Sequence, residues 1–156
     1  MKDTHLFQIG NNPQKRVLIL SSIHGNELSG LIILRHMHAW LAQTAQAHNL
    51  QFDILPFFNH TGIAARSRIE PQSRLDLNRC FNQAQPPQII KKLKKLASNC
   101  QLVLDLHCFP NTRHAFTALL FQNSAHTRVS SVNRCLVQLL GADFIWKLDA
   151  SHLDRE

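Results

Sequence analysis

The alternation of short apolar runs with longer helical stretches restricts the fold of this chain more than any other feature. Residues 16–22, RVLILSS, form a short run rich in branched side chains, which by length and composition is a buried strand. It ends in the polar turn 21–27, and a long helix is predicted from Leu28 to about Ala47. Residues 51–58 form a second strand, weakened locally by Pro56. Pro86 and Pro87 then open a helix to about Asn99, proline being acceptable in a first turn. Residues 101–107 are a third strand and 115–121 a fourth; a helix over about 124–140 and a fifth strand at 143–148 follow. Such alternation predicts an α/β fold, an open and mostly parallel sheet with helices on both faces. No repeat, low-complexity segment or linker divides residues 1–156, which read as one domain.

Composition narrows the function classes. An apolar content of 44% supports a real core and argues against disorder. No apolar run approaches the roughly 18–20 residues that span a bilayer. The N-terminus, Met1-Lys2-Asp3-Thr4-His5, has no apolar segment behind it and does not read as a signal peptide. The four cysteines, Cys80, Cys100, Cys108 and Cys135, lack CxxC spacing and read as reduced thiols of a cytoplasmic protein. Seventeen Lys+Arg against ten Asp+Glu give a charge of +7, yet no nucleic-acid reading element accompanies it. The densest run, Lys91-Lys92-Leu93-Lys94-Lys95-Leu96, is an amphipathic helix with a solvated face. Arg66, Arg68, Arg74 and Arg79 instead crowd into the irregular stretch 59–85, where guanidinium forks suit small carboxylates or phosphates.

In open α/β sheets, sites form beyond the carboxyl ends of strands. His24 and Glu27 follow the first strand, and their H-x-x-E spacing on a nascent helical turn puts both side chains on one face. His107 ends the third strand and reaches the same crevice if the two strands are neighbours. Two histidines and one glutamate are the ligand set of many catalytic zinc sites, which keep a fourth position open. Each signal is weak alone, since isolated histidines are more often structural and H-x-x-E arises by chance on surface helices. Together they are stronger, because each half terminates a predicted strand.

His24-Gly25-Asn26-Glu27, Asp76-Leu77-Asn78-Arg79 and Asp105-Leu106-His107, in that order, resemble the succinylglutamate desuccinylase/aspartoacylase family, a branch of the zinc carboxypeptidase-like hydrolases. The resemblance runs from about Val17 to His107 and more loosely beyond. It implies that His24, Glu27 and His107 are the ligands of one zinc ion, and that Asn78 and Arg79 hold the substrate's free carboxylate. It makes Asp76 an acid behind a zinc histidine, fixing its tautomer. It also implies an upstream arginine that polarises the scissile carbonyl, and the register counted from Asn59 lands on Arg68. His60 replaces the family's proline, and the segment from Arg68 to Asp76 exceeds the family pattern, so Arg66 and Arg74 stay open as alternatives.

The chemistry is coherent without the family name. Zinc polarises an amide carbonyl and lowers the pKa of its water. One arginine stabilises the developing oxyanion, and a second with an asparagine orients the substrate through its carboxylate. A general base is missing. In the family, the catalytic glutamate lies well downstream of the third ligand, a position that falls beyond Glu156. Glu70 precedes the DLNR motif, and Asp149, Asp154 and Glu156 come too early and read as solvated tail charges. The fifth strand also has no following helix to cover it, and an exposed apolar edge is a liability. Residues 1–156 are therefore expected to be the N-terminal part of a longer zinc-hydrolase catalytic domain. The expected activity is hydrolysis of a small anionic N-acyl amino acid, succinylglutamate- or acetylaspartate-like, without a nucleic-acid or membrane partner. The alternatives are a zinc carboxypeptidase or murein-peptide amidase of the same superfamily, and a non-catalytic zinc-binding remnant.

Overall fold

A computed structural model describes residues 5–108, 117–122 and 144–149. From the N-terminus, β1 (Phe7–Gly10) and β2 (Arg16–Ser21) precede the long helix α1 (Ser29–His48) and β3 (Gln51–Leu55). A short helix α2 (His60–Ala64), the helix α3 (Gln88–Ala97) and the strand β4 (Leu102–Leu106) follow. These elements belong to one compact unit within Met1–Phe109. In a second unit, within Pro110–Glu156, β5 (Thr117–Gln122) and β6 (Phe144–Asp149) pair in parallel, with Thr117 opposite Phe144. The helix expected over 124–140 lies outside the described residues.

The sheet of the first unit has the order β1-β3-β2-β4. The central strand β2 pairs in parallel with both neighbours, Leu18 standing opposite Asp53 of β3 and Val103 of β4. Only β1 runs antiparallel, with Gln8 opposite Asp53. This is the open, mostly parallel sheet that the alternation predicts, with one added edge. The sequence reading misses β1 because four residues with largely exposed side chains carry no burial pattern.

Side chains of β2 alternate between two cores. Leu18 and Leu20 pack with Ile89, Ile90 and Leu93 of α3, together with Phe58 and Leu77. Ile19 turns to the other face with Leu34, Leu41 and Ala45 of α1 and Phe52 and Ile54 of β3. Helices therefore cover both faces. The lysines of α3 at 91, 92, 94 and 95 are exposed while Ile89, Ile90 and Leu93 are buried, the solvated face expected of that run. From β2, the chain crosses by α1 to β3 on one side and later by α3 to β4 on the other. The strand order thus reverses at β2, the position beyond whose carboxyl end open α/β sheets place their sites.

Local chemistry sets the boundaries. α1 ends at Asn49, whose left-handed backbone (φ 51) suits asparagine, while the Leu50 amide donates to the Ala45 carbonyl at 2.9 Å. β3 stops at Leu55, ahead of Pro56 and short of the expected residue 58. Pro87 is the cap of α3, and its carbonyl accepts from the Ile90 and Lys91 amides. The stretch 59–85 is less irregular than its sequence suggests. It holds α2, a 3-10 turn at Leu77–Arg79 and a tight hairpin in which Glu70 pairs with Leu75. Among the described residues, no helix is long and apolar enough to cross a membrane.

Candidate metal centre

The polypeptide leaves β2 at Ser21 and makes a tight turn in which the Glu27 amide donates to the His24 carbonyl at 3.1 Å. That turn, and not the first turn of α1, brings the two side chains together. His24 Nδ1 lies 2.8 Å from Glu27 Oε1, with His24 2% and Glu27 8% exposed. Gly25 is required by a close approach: a methyl there would overlap the backbone of Gly62 and Ile63 in α2. Asn59 fastens the same junction, accepting from the Gly62 amide at 2.9 Å and donating to the Ile23 carbonyl at 3.2 Å.

His107 arrives from the neighbouring strand. Ser21 stands opposite Leu106 in the β2–β4 ladder, so the residue after β4 emerges beside the turn that follows β2. His107 Nδ1 lies 3.0 Å from Glu27 Oε2, and the two imidazole centroids are 5.0 Å apart. The outer nitrogens also meet acids: His24 Nε2 is 3.2 Å from Asp76 Oδ1, and His107 Nε2 is 2.9 Å from Asp105 Oδ2. The Cys108 backbone amide donates to Glu27 Oε2 at 2.9 Å. Arg68 spans two acids, with Nη1 3.4 Å from Glu27 Oε1 and Nε 3.2 Å from Asp76 Oδ2.

Charge is concentrated at this point. Burial pushes the Glu27 carboxyl up, but the imidazoles of His107 and His24 and the Cys108 amide outweigh it and hold the group well below the usual carboxylate range. Burial pulls His107 down, but Asp105 and Glu27 on its two nitrogens outweigh that and raise it to about 9. Each ring thus has a carboxylate at both nitrogens, and carboxylates only accept hydrogen bonds. Such a ring needs either two protons or one proton and a cation. The ligand atoms of His24, Glu27 and His107 lie within 4.8 Å of one another. Two imidazole nitrogens and a carboxylate, with the outer nitrogens anchored on acids, suit a divalent ion such as zinc.

Comparison with known proteins gives this geometry a family. Residues 13–152 match the succinylglutamate desuccinylase/aspartoacylase catalytic domain. The chain belongs to that family. Aspartoacylase of Mus musculus is 31% identical over 74 residues, which are 47% of this chain and 22% of that enzyme. The aspartoacylase of Rattus norvegicus gives the same figures, 31% over 74 residues. A succinylglutamate desuccinylase from Silicibacter sp. TM1040 superposes with a TM-score of 0.73 at 21% identity, covering 91% of this chain and 44% of that one. An aspartoacylase family protein from Mesorhizobium loti gives a TM-score of 0.66 at 22% identity, covering 94% and 55%. The chain therefore spans about a fifth of the length of the curated aspartoacylases and about half of these solved relatives.

Within this desuccinylase/aspartoacylase fold, the structure gathers His24, Glu27, His107, Asp76 and Arg68 at one point. Asn78 and Arg79 lie on the 3-10 turn that begins behind Asp76; Asn78 is part-buried and Arg79 exposed. Of the three arginines left open, Arg68 reaches the cluster. Arg66 and Arg74 are exposed with left-handed backbones (φ 50 and 58), and among the described residues neither pairs with an acid. The hairpin at Glu70–Leu75 takes up the extra length of this loop, and so leaves Arg68 beside Asp76. Glu70 organises that hairpin, accepting from Thr61 Oγ1 at 2.9 Å and from the Gln72 and Ser73 amides at 3.1 and 2.6 Å. Its burial, which raises the carboxyl, is outweighed by those bonds, and the group is lowered to about 2.

Sequence reasoning placed Asp105 in a motif without assigning it a role, and missed the Cys108 amide. Asp105 carried a signal, an acid two residues before a strand-end histidine, where alternation places both on one face. The Cys108 contact comes from the backbone, so no residue type announces it.

Proposed function

We propose that this chain carries the metal site and substrate clamp of a zinc-dependent amidohydrolase that cleaves small N-acyl amino acids. The observation behind this reading is the convergence of His24 Nδ1, Glu27 and His107 Nδ1, each histidine backed by an acid on its far nitrogen. Bound there, zinc would polarise the amide carbonyl and acidify a water molecule. The chain's own residues do the rest. Asp76 and Asp105 fix the tautomers and orientations of the two histidines. Arg68, its side chain 47% exposed, is placed to face an oxygen that gains charge during amide attack. Asn78 and Arg79 supply a donor pair for the substrate's free carboxylate, the planar guanidinium matching it through two hydrogen bonds. The substrate class is an N-acyl amino acid of the succinylglutamate or acetylaspartate kind, after the names of the relatives. The free cysteines Cys80, Cys100 and Cys108 accord with a reducing, cytoplasmic setting.

The test is metal content followed by substrate. The parent chain is expected to bind one zinc ion, whereas His24→Ala and His107→Ala each lose most of it, because each removes one of three protein ligands. Full zinc occupancy in both variants would sink the metal assignment. Zinc-dependent binding of N-acetylaspartate or N-succinylglutamate, weakened by Arg79→Ala, separates this reading from a site that only stores metal.

A further inference from the structure

We propose that Ser22 is a positioning residue for the metal centre: its hydroxyl, presented by a left-handed backbone, clamps the end of the His24–Glu27 turn and keeps the two ligands convergent. This inference rests on the metal reading above and assigns a role to a residue outside the ligand set. Ser22 leaves β2 with φ 58 while only 1% exposed. A side chain in that region crowds its own backbone, a strain that glycine would not carry. Strained conformations persist where the surroundings over-determine them and cluster at functional sites.

The surroundings here do so. Ser22 Oγ donates to the Glu27 carbonyl at 3.2 Å, and the Asn59 amide donates to the Ser22 carbonyl at 3.1 Å. Ser21 Oγ lies 3.3 Å from Ser22 Oγ and, because the Ser22 proton is already committed to Glu27, Ser21 is the donor between them. Ser21 is itself packed against Gly30 in the first turn of α1. The Leu31 and Ile32 amides both go to the Leu28 carbonyl, so the helix ladder begins one residue after Glu27. α1 also has no side-chain cap. The Glu27 carbonyl is therefore tied to the end of β2 by Ser22, which makes this contact from its left-handed bend.

Two substitutions separate this role from fold stability. Ser22→Ala keeps the strained backbone and loses the hydroxyl; Ser22→Gly loses the hydroxyl and relieves the strain. Zinc dissociation constants from chelator competition, cobalt(II) absorption spectra and metal-free melting curves are measured on the 156-residue chain. Both variants are expected to bind zinc about three- to tenfold more weakly, as one lost buried hydrogen bond implies. Both are also expected to show a changed cobalt spectrum, and Ser22→Gly to melt above Ser22→Ala. Parent-like zinc affinity in both variants would overturn the role of Ser22 and leave the metal centre standing. A weaker affinity in Ser22→Ala alone, with Ser22→Gly like the parent, would assign the residue to stability and overturn the proposal. A parent chain that binds no zinc would overturn both readings.

Discussion

Asp105 and Asp76 occupy equivalent places on the two histidines, but their other partners differ. Asp76 also accepts from the Asn78 amide at 2.9 Å and from Arg68, and so has a structural duty besides its contact with His24. Asp105 stands more in the open, its side chain 29% exposed, with His107 as its hydrogen-bond partner. Asp105→Asn is therefore the cleaner probe of an acid behind a proposed ligand. Zinc affinity, measured by chelator competition, is expected to fall by about tenfold, the lower end of losses for such outer acids, with little change in melting temperature. An unchanged affinity would show that the Nε2 contact does not orient the ring.

Among the elements, β2 and the turn after it do most to build the site, and α2 braces that turn from outside. The bracing depends on two glycines in contact, Gly25 and Gly62, and on Asn59 between them. Gly25→Ala is expected to force the turn off α2 at about 1–3 kcal/mol, the usual cost of overpacking, and to weaken zinc binding along with stability. A denaturation midpoint equal to the parent's would argue against the close approach.

A second device joins the strands at the far edge. Asp53, fully buried in β3, accepts from Gln8 of β1 at 2.8 Å, from Gln51 at 3.0 Å and from Arg16 Nε of β2 at 2.7 Å. Burial raises the Asp53 carboxyl, but these donors and the Arg16 charge outweigh it and lower the group from its ordinary 3.8. A carboxyl lowered on folding adds stability that is complete above its ordinary value and is lost as pH falls through the folded value. Asp53→Asn is expected to cost about 2–3 kcal/mol at pH 7, as donors to a charged acceptor lose it. Urea denaturation should show that gap constant from pH 7 to 5 and closing below 3.8. A gap that widened with acid would reverse the sign of the assignment.

Over the whole molecule the relevant quantity is charge. Much of the excess of +7 lies on the exposed lysine face of α3 and in the arginine loop, where Arg66, Arg74 and Arg79 are exposed. An anionic substrate approaching such a surface is drawn in at long range, and salt weakens the attraction as the screening length falls from about 30 Å at 0.01 M to about 8 Å at 0.15 M. Binding of N-succinylglutamate is expected to weaken by about threefold or more across that range, while its uncharged amide analogue stays flat. Equal salt slopes for the two would remove the electrostatic role. The strand–helix alternation and the lysine-faced helix were legible in residue order, because periodicity and turn chemistry are local, and the three motifs were legible through their resemblance to a known family. The sequence could also single out His24, Glu27 and His107 as candidates, since they stand at the carboxyl ends of two predicted strands. It favoured Arg68 by register but left Arg66 and Arg74 open, because the hairpin that shortens the loop is set by Glu70 accepting from residues on both sides of it. Nor could it reveal β1, whose place is set by pairing with β3 and by Gln8 on Asp53. The arrival of residues 105 and 107 beside the 24–27 turn was decided by tertiary structure, through the parallel β2–β4 ladder that sets Ser21 opposite Leu106. Contacts between residues far apart in sequence depend on strand order and register, and local chemistry does not encode these.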